Sequence, residues 1–275
     1  MTAPQLSLAQ KASVSEGIRR ILLTISYDGS QYGGWQRQHN AISVQQRVEE
    51  ALALTVGAPV AITGASRTDA GVHALGQRAH FDTRSTISPD KFPFALNTRL
   101  PKDIRVLDGQ RVPDTFHARF DAAGKRYTYR IHNAPHASAQ YRSLCAHVPQ
   151  PLDVEAMRQC LPALIGTHDF AAFQAAGGTS KTTVRTLRKA ALLQDGSTLT
   201  LHILGNAFLY NMVRIIVGTL INVGQGKFSA NPFQEALQTG NRLSLGFTAP
   251  ARGLELTEVY YENDFCSSPS LFQDS

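Results

Sequence analysis

A chain of 275 residues with 43% apolar and 17% charged residues is globular material, long enough for one large core or two of ordinary size, and neither disordered nor coiled-coil. Lys and Arg number 27 against 21 Asp and Glu; the net charge of +6 favours an anionic partner and, with clustered arginines, nucleic acid. Its three cysteines, Cys145, Cys160 and Cys266, lie far apart without a Cys-x-x-Cys pair, which argues against a disulfide framework or a zinc site and fits a reducing cytoplasm.

No apolar run reaches the roughly 20 residues of a membrane span. Residues 1–18 are small and polar, without the apolar centre of a signal peptide, and read as a flexible extension. The stretch Arg19–Tyr27 reads as a buried strand ending at the turn pair Asp28-Gly29. The loop after it carries Tyr32, the single Trp35, Arg37 and His39. Rings interleaved with bases suit RNA, where aromatics stack and Arg takes phosphate, but a Trp plugging the core edge explains the same residue. Ser43 caps a helix with Val44, Val48, Ala51 and Leu52 on one face, ended by Gly57-Ala58-Pro59.

A strand over 60–65 then breaks into Gly64-Ala65-Ser66-Arg67-Thr68-Asp69-Ala70-Gly71-Val72-His73-Ala74, around which the rest of the chain is organised. A glycine on either side of one Arg and one Asp can be a tight turn with a solvated Arg. It can equally hold a carboxylate at a strand end where backbone approaches a ligand. A strand over 77–83, a helix from Ser88-Pro89 toward Arg99 and a strand over Ile104–Val112 follow. The order is βαββαβ, the ferredoxin-like pattern.

After Pro113 the order restarts. Residues 125–132 alternate as a half-buried strand with Tyr127 and Tyr129 on one face. Asp153 caps a helix stopping at Gly166, and strands over 183–194 and 198–204 flank the hairpin pair Asp195-Gly196. A long apolar helix over 208–223, a short one from Asn231-Pro232 and a strand over Leu254–Tyr261 complete the chain. The expected fold is α+β: two ferredoxin-like halves, 19–113 and 114–264, join into one mixed, mainly antiparallel sheet. Helices pack on one face, a central cleft lies at the junction, and a flexible tail covers 265–275. Arg214 falls in the middle of the apolar helix, where a guanidinium needs either a carboxylate from elsewhere in the chain, held bidentately, or an escape to the helix edge.

Six motifs occur in order: Tyr27-Asp28-Gly29-Ser30-Gln31-Tyr32-Gly33-Gly34-Trp35-Gln36-Arg37-Gln38; Arg67-Thr68-Asp69-Ala70-Gly71-Val72-His73-Ala74; Phe116-His117-Ala118-Arg119-Phe120 with Lys125-Arg126-Tyr127-Thr128-Tyr129; Gly166-Thr167-His168-Asp169-Phe170; Phe208-Leu209-Tyr210-Asn211-Met212-Val213-Arg214; and Thr248-Ala249-Pro250-Ala251-Arg252-Gly253-Leu254. With them the chain resembles the tRNA pseudouridine synthase A family over residues 19–261. The resemblance implies isomerisation of uridine to pseudouridine in the tRNA anticodon stem-loop, at tRNA positions 38 to 40. It also implies that neither metal nor organic cofactor is used, and that RNA lies across both subunits of a homodimer. One departure is Ser66, where the family usually has Gly.

By the same resemblance Asp69 is the carboxylate at the sugar, acting as a nucleophile on C1′ or as a base at C2′. Arg214 pairs with Asp69 and lowers its pKa, and Arg67 holds phosphate where the nucleotide is extruded. Tyr127 lies against the uracil and helps remove the C5 proton, with Leu254 as the apolar wall on the other face. Apart from the resemblance, Arg37, Arg119, Lys125 and Arg126, with Arg185, Arg188 and Lys189, cluster near loops or strand edges as expected RNA contacts, and a merely solvated face explains any single one equally well. A retaining glycosidase would need two carboxyl groups about 5 Å apart, and only one central acid is found. A non-catalytic RNA-binding protein leaves an Arg inside an apolar helix unexplained, and a zinc deaminase would need His-x-Glu and Cys-x-x-Cys ligands, which are missing. No Gly-x-x-x-x-Gly-Lys phosphate loop is present.

Overall fold

In a computed structural model of the chain, residues 17–261 are described; the expected tail, and the expected extension apart from its last two residues, lie outside them. The elements in chain order are β1 (Arg19–Tyr27), α1 (Val44–Val56), β2 (Thr63–Gly64), β3 (His73–Thr83), α2 (Phe92–Asn97), β4 (Ile104–Val112), β5 (Ala122–Asn133), β6 (Ala146–Val148), α3 (Val154–Cys160), β7 (Gly166–Asp169), β8 (Val184–Asp195), β9 (Thr198–Gly205), α4 (Met212–Gly224), α5 (Pro232–Thr239) and β10 (Leu254–Tyr261). The strands form one sheet in the order β4-β1-β3-β10-β5-β9-β8-β7, with β2 on β3 and β6 on β5. Its ladders are antiparallel except β10 with β3 and β5 with β6, so the sheet is mixed and mainly antiparallel and the fold is α+β.

Local chemistry accounts for most boundaries. The Ser43 hydroxyl accepts the Gln46 N–H at the start of α1, and Gly57 closes it in the left-handed region at φ 76°. Asn231 caps α5 ahead of Pro232, and Gly240 ends it the same way. The β8–β9 hairpin turns at Gly196, φ 53°, as expected of Asp195-Gly196.

Four expectations shift. The strand over 60–65 shrinks to Thr63–Gly64, because Ile62 exchanges its backbone bonds with the Glu49 and Gln45 side chains of α1 instead of a neighbouring strand. The strand expected over 77–83 begins at His73, because β10 pairs with His73 and Ala74, a contact that no local pattern signals. The helix from Ser88 divides into a single tight turn and then α2, since Pro93 tolerates only a first helical turn. The helix over 208–223 begins at Met212, because Asn211 is left-handed at φ 59° and interrupts it, which puts Arg214 in the first turn rather than mid-helix. Two short strands, β6 and β7, were not expected; Gly166, read as a helix stop, opens β7.

The core runs through both ends of the sheet and includes Ile21, Leu23, Phe81, Leu201, Ile203 and the inner face of α4, with Ile215, Ile216 and Val217 fully buried. Burying such side chains contributes about 1.5–3 kcal/mol each. The approach of α4 to the segment leading into β10 is close enough to require glycine: a Cβ on Gly218 would lie 1.8 Å from the carbonyl oxygen of Phe247. Gly218→Ala is expected to lower stability by about 2–3 kcal/mol, from overpacking against backbone, read as a drop in the urea midpoint at unchanged m-value.

Candidate active site

The loop from β2 to β3 is held from beneath by the loop after β1. The Trp35 N–H donates to the Thr68 carbonyl at 3.1 Å, and the Gly71 N–H to that of Tyr32 at 3.3 Å. Gly34, at φ +94°, allows this approach, since a Cβ there would sit 2.4 Å from the Thr68 oxygen. Tyr32 and Trp35 are buried, at 8% and 2% exposure, so neither offers a ring to RNA. Trp35 plugs the core edge and Tyr32 binds Asp103 through its hydroxyl at 2.7 Å. The aromatics of this loop therefore brace the Asp69 loop.

Side chains fix that loop further. Gln77 clamps Ser66, accepting its N–H at 3.1 Å and donating to its carbonyl at 2.7 Å, and the Tyr27 and Thr68 hydroxyls bond at 2.7 Å. His73 Nδ1 lies 3.1 Å from both the Gly29 nitrogen and Asp28 Oδ1, and its Nε2 lies 3.2 Å from the Arg252 carbonyl. One imidazole thus ties three of the sequence motifs together at the β3–β10 seam.

Arg214 reaches Asp69 from α4. Its Nη1 lies 3.4 Å from Asp69 Oδ2 and donates to Asn211 Oδ1 at 2.7 Å, while Nε donates to the Ala249 carbonyl at 2.7 Å. The contact with Asp69 is single, not bidentate, because the other guanidinium bonds go to Asn211 and Ala249. Asn211 was not foreseen; it is the only non-glycine with positive φ among the described residues. Burial raises the Asp69 carboxyl above its ordinary range, and the opposing pull of Arg214 is smaller. The net shift is upward, opposite to the expected lowering, although Arg214 acts in the direction anticipated.

Tyr127 projects from β5, with the Phe208 ring edge-on at 5.1 Å and 82°. Its phenol is pushed up to about 12 by burial, with the nearby Ser66 hydroxyl pulling down and the Asp69 charge pushing up. It is therefore protonated at neutral pH. Leu254, 6% exposed, opens β10 opposite Tyr129 and faces the same cleft.

This cleft, about 550 Å³, brings together Asp69, Tyr127, Leu254, Arg67, Arg119, Lys125 and Arg37. Segment 177–180 and Phe208 to Val213 line it as well, and neither segment's part in the cleft was expected. Lys125 is pushed down to about 8 by burial and by Arg119 and Arg185, and Arg119 is lowered by burial and Arg67. Cations that depress one another in a cleft favour an anion there. Arg37 keeps an ion pair with Glu49 at 3.0 Å while half its side chain stays exposed. Arg126 is not brought to the cleft: it follows Lys125 on the opposite face of β5 and pairs with Glu258 at 3.2 Å. Arg188 and Lys189 are exposed on β8 and do not line the cleft.

The α+β fold thus presents one carboxyl facing an arginine in a basic cleft walled by a tyrosine and a leucine. A family model described as tRNA pseudouridine synthase matches residues 23–121 and 161–262. The chain is similar to the tRNA pseudouridine synthase A of Acetivibrio thermocellus, 48% identical over 244 residues, which span 89% of this chain and 100% of that protein. It is also similar to that of Ruminiclostridium cellulolyticum, 47% identical over 245 residues spanning 89% and 100%. That of Geobacillus sp. is 45% identical over 246 residues spanning 89% and 99%. The chain belongs to the tRNA pseudouridine synthase A family, and its enzyme class is that of the isomerases. Among the described residues no helix is long and apolar enough to cross a membrane.

Proposed function

We propose that this enzyme converts uridine to pseudouridine in the anticodon stem-loop of tRNA, at positions 38 to 40, in the cytoplasm and as a homodimer, with Asp69 as the residue acting on the ribose. The observation that carries the reading is the contact of Asp69 with Arg214 inside the cleft that also holds Tyr127 and Leu254. Breaking N1–C1′ and forming C5–C1′ leaves the atom count unchanged: N1 gains a proton and C5 loses one. Asp69 takes up the sugar centre, either by bonding C1′ or by removing a C2′ proton, and Arg214 keeps it charged and aimed. Tyr127 and Leu254 hold the freed uracil between them while it turns over. Tyr127 accepts the C5 proton only as it hands on its own. We further propose the division into halves 19–113 and 114–264, with the cleft at their junction.

Arg67, Arg119 and Lys125 hold phosphates beside the extruded nucleotide, and Arg37 extends this track. A phosphate among them offsets the burial and, after it, the repulsion from Arg119 and Arg185 that depress Lys125. Arg119→Ala is expected to weaken tRNA binding and to make the slope of log K against log salt shallower by roughly 0.7–0.9, one contact's worth, in a fluorescence anisotropy titration. Carbodiimide mapping of unmodified tRNA transcript tests the reaction itself: reverse-transcription stops in the 3′ side of the anticodon stem-loop are expected after incubation with enzyme. Transcripts that bind yet show no stops would leave an RNA-binding protein in this fold.

A further inference from the structure

Ser66 is 5% exposed and lies in the cleft lining beside Asp69 and Tyr127; its buried hydroxyl makes no hydrogen bond of good geometry within the protein, although the Tyr127 phenol is near enough to feel it. That is unusual for a buried hydroxyl, which ordinarily finds a partner. It is also no consequence of a loose loop, because Gln77 clamps the Ser66 backbone at both N–H and carbonyl. Thr68 Oγ1 is engaged with Tyr27 and Asn211 Oδ1 with Arg214, which leaves the Tyr127 phenol as the polar group beside Ser66. The nearby walls, Val72, Phe208, Met212 and Leu254, are apolar.

We propose that the Ser66 hydroxyl is a substrate contact that hydrogen-bonds the polar edge of the extruded uracil. This rests on the function proposed above. A uracil held between Tyr127 and Leu254 carries two carbonyls and an N–H along its rim, and each loses water on entering. A group of that kind left unpaired in an apolar slot is penalised by more than a hydrogen bond returns. Ser66, which can donate or accept, stands at the phenol end of Tyr127 and pairs with that rim. Because a hydroxyl serves both purposes, it suits a base that turns over and shows different atoms before and after the rotation. The contact supports binding and reorientation of the base; the bond making belongs to Asp69.

The test compares wild-type enzyme with Ser66→Ala and Ser66→Cys in single-turnover pseudouridine formation on tRNA transcript. The cysteine variant keeps the side-chain shape while giving up most of the hydrogen bonding. Both variants are expected to melt with wild type and to bind tRNA within about twofold, since phosphate contacts dominate affinity. Both are expected to form product about five- to twentyfold more slowly, as for one lost hydrogen bond to a buried polar group. The pH–rate profile keeps its position. Wild-type rates in both variants overturn the proposal. So does a slowed variant whose alkaline limb moves, because that places the effect on the Tyr127 phenol rather than on substrate. An inactive wild type refutes the proposed function and the Ser66 contact with it; an active wild type with equally active variants refutes the Ser66 contact alone.

Discussion

Asp69→Asn is expected to reduce pseudouridine formation about 10⁴-fold or more while leaving tRNA affinity within a few-fold of wild type. Losses of that size follow removal of the one group that forms or breaks bonds at the reacting centre. The amide fits the same space and still accepts from Arg214, but it neither attacks C1′ nor takes a proton from C2′. Binding survives because the proposed phosphate contacts are Arg67, Arg119 and Lys125, which line the cleft around Asp69. The same substitution makes a second, opposite prediction for stability. The folded-state pKa of Asp69 is raised, so the folded protein holds that proton more tightly than the unfolded chain. Stability therefore falls as pH rises from the unfolded pKa through the folded one, and stays lower above it. An uncharged Asn removes this penalty, and the variant is expected to melt at or above the wild-type temperature at neutral pH. Activity near wild type would remove Asp69 from the chemistry. Inactivity together with a large loss of stability would mean that the carboxylate is a structural ion-pair partner.

Much of the site was legible because its chemistry sits in short, contiguous motifs. An arginine in an apolar helix without a local acid required a carboxylate from elsewhere in the chain, the family resemblance supplied Asp69, 145 positions away, and the structure joins them. What stayed hidden depends on contacts between distant segments. Trp35 looked equally suited to RNA or to the core edge until the packing of its indole on Gly64 was seen; a Cβ there would lie 2.4 Å from the indole nitrogen. The start of β3 at His73 follows from its pairing with β10, which enters the chain about 180 residues later. The first-turn position of Arg214 follows from a left-handed Asn211, a conformation that the apolar run around it conceals. The sign of the Asp69 shift depends on how deeply its loop is buried, a quantity set by the whole fold. Arg126 is different, for its signal was available: the alternation that puts Tyr127 and Tyr129 on one face of a strand already puts Arg126 on the other.

Arg214→Met is expected to lower the maximal rate about 10²–10³-fold, the range seen when one preorganised donor is removed from a reacting site. The acidic limb of its pH–rate profile is expected to move to higher pH. The sign follows from the balance at Asp69: burial raises the carboxyl and Arg214 lowers it, so deleting the cation leaves burial unopposed. A larger fraction of the enzyme then carries a protonated, unreactive Asp69 at any mildly acidic pH. Methionine also leaves the Asn211 amide oxygen and the Ala249 carbonyl without their arginine donor, so some stability is lost and the rate must be read on protein shown to be folded. Arg214→Lys separates charge from geometry. A lysine keeps the positive charge near Asp69 but cannot serve Asn211, Ala249 and Asp69 from one planar fork. Its acidic limb should stay near wild type while its maximum falls. If the methionine variant slows without moving that limb, Arg214 acts by shaping the loop and the mouth of α4, and its charge is not what keeps Asp69 ready. If the limb moves in both variants alike, the fork rather than the charge sets the ionisation of Asp69. A limb that moves with methionine and not with lysine assigns the ionisation of Asp69 to the cation and the residual loss to its geometry.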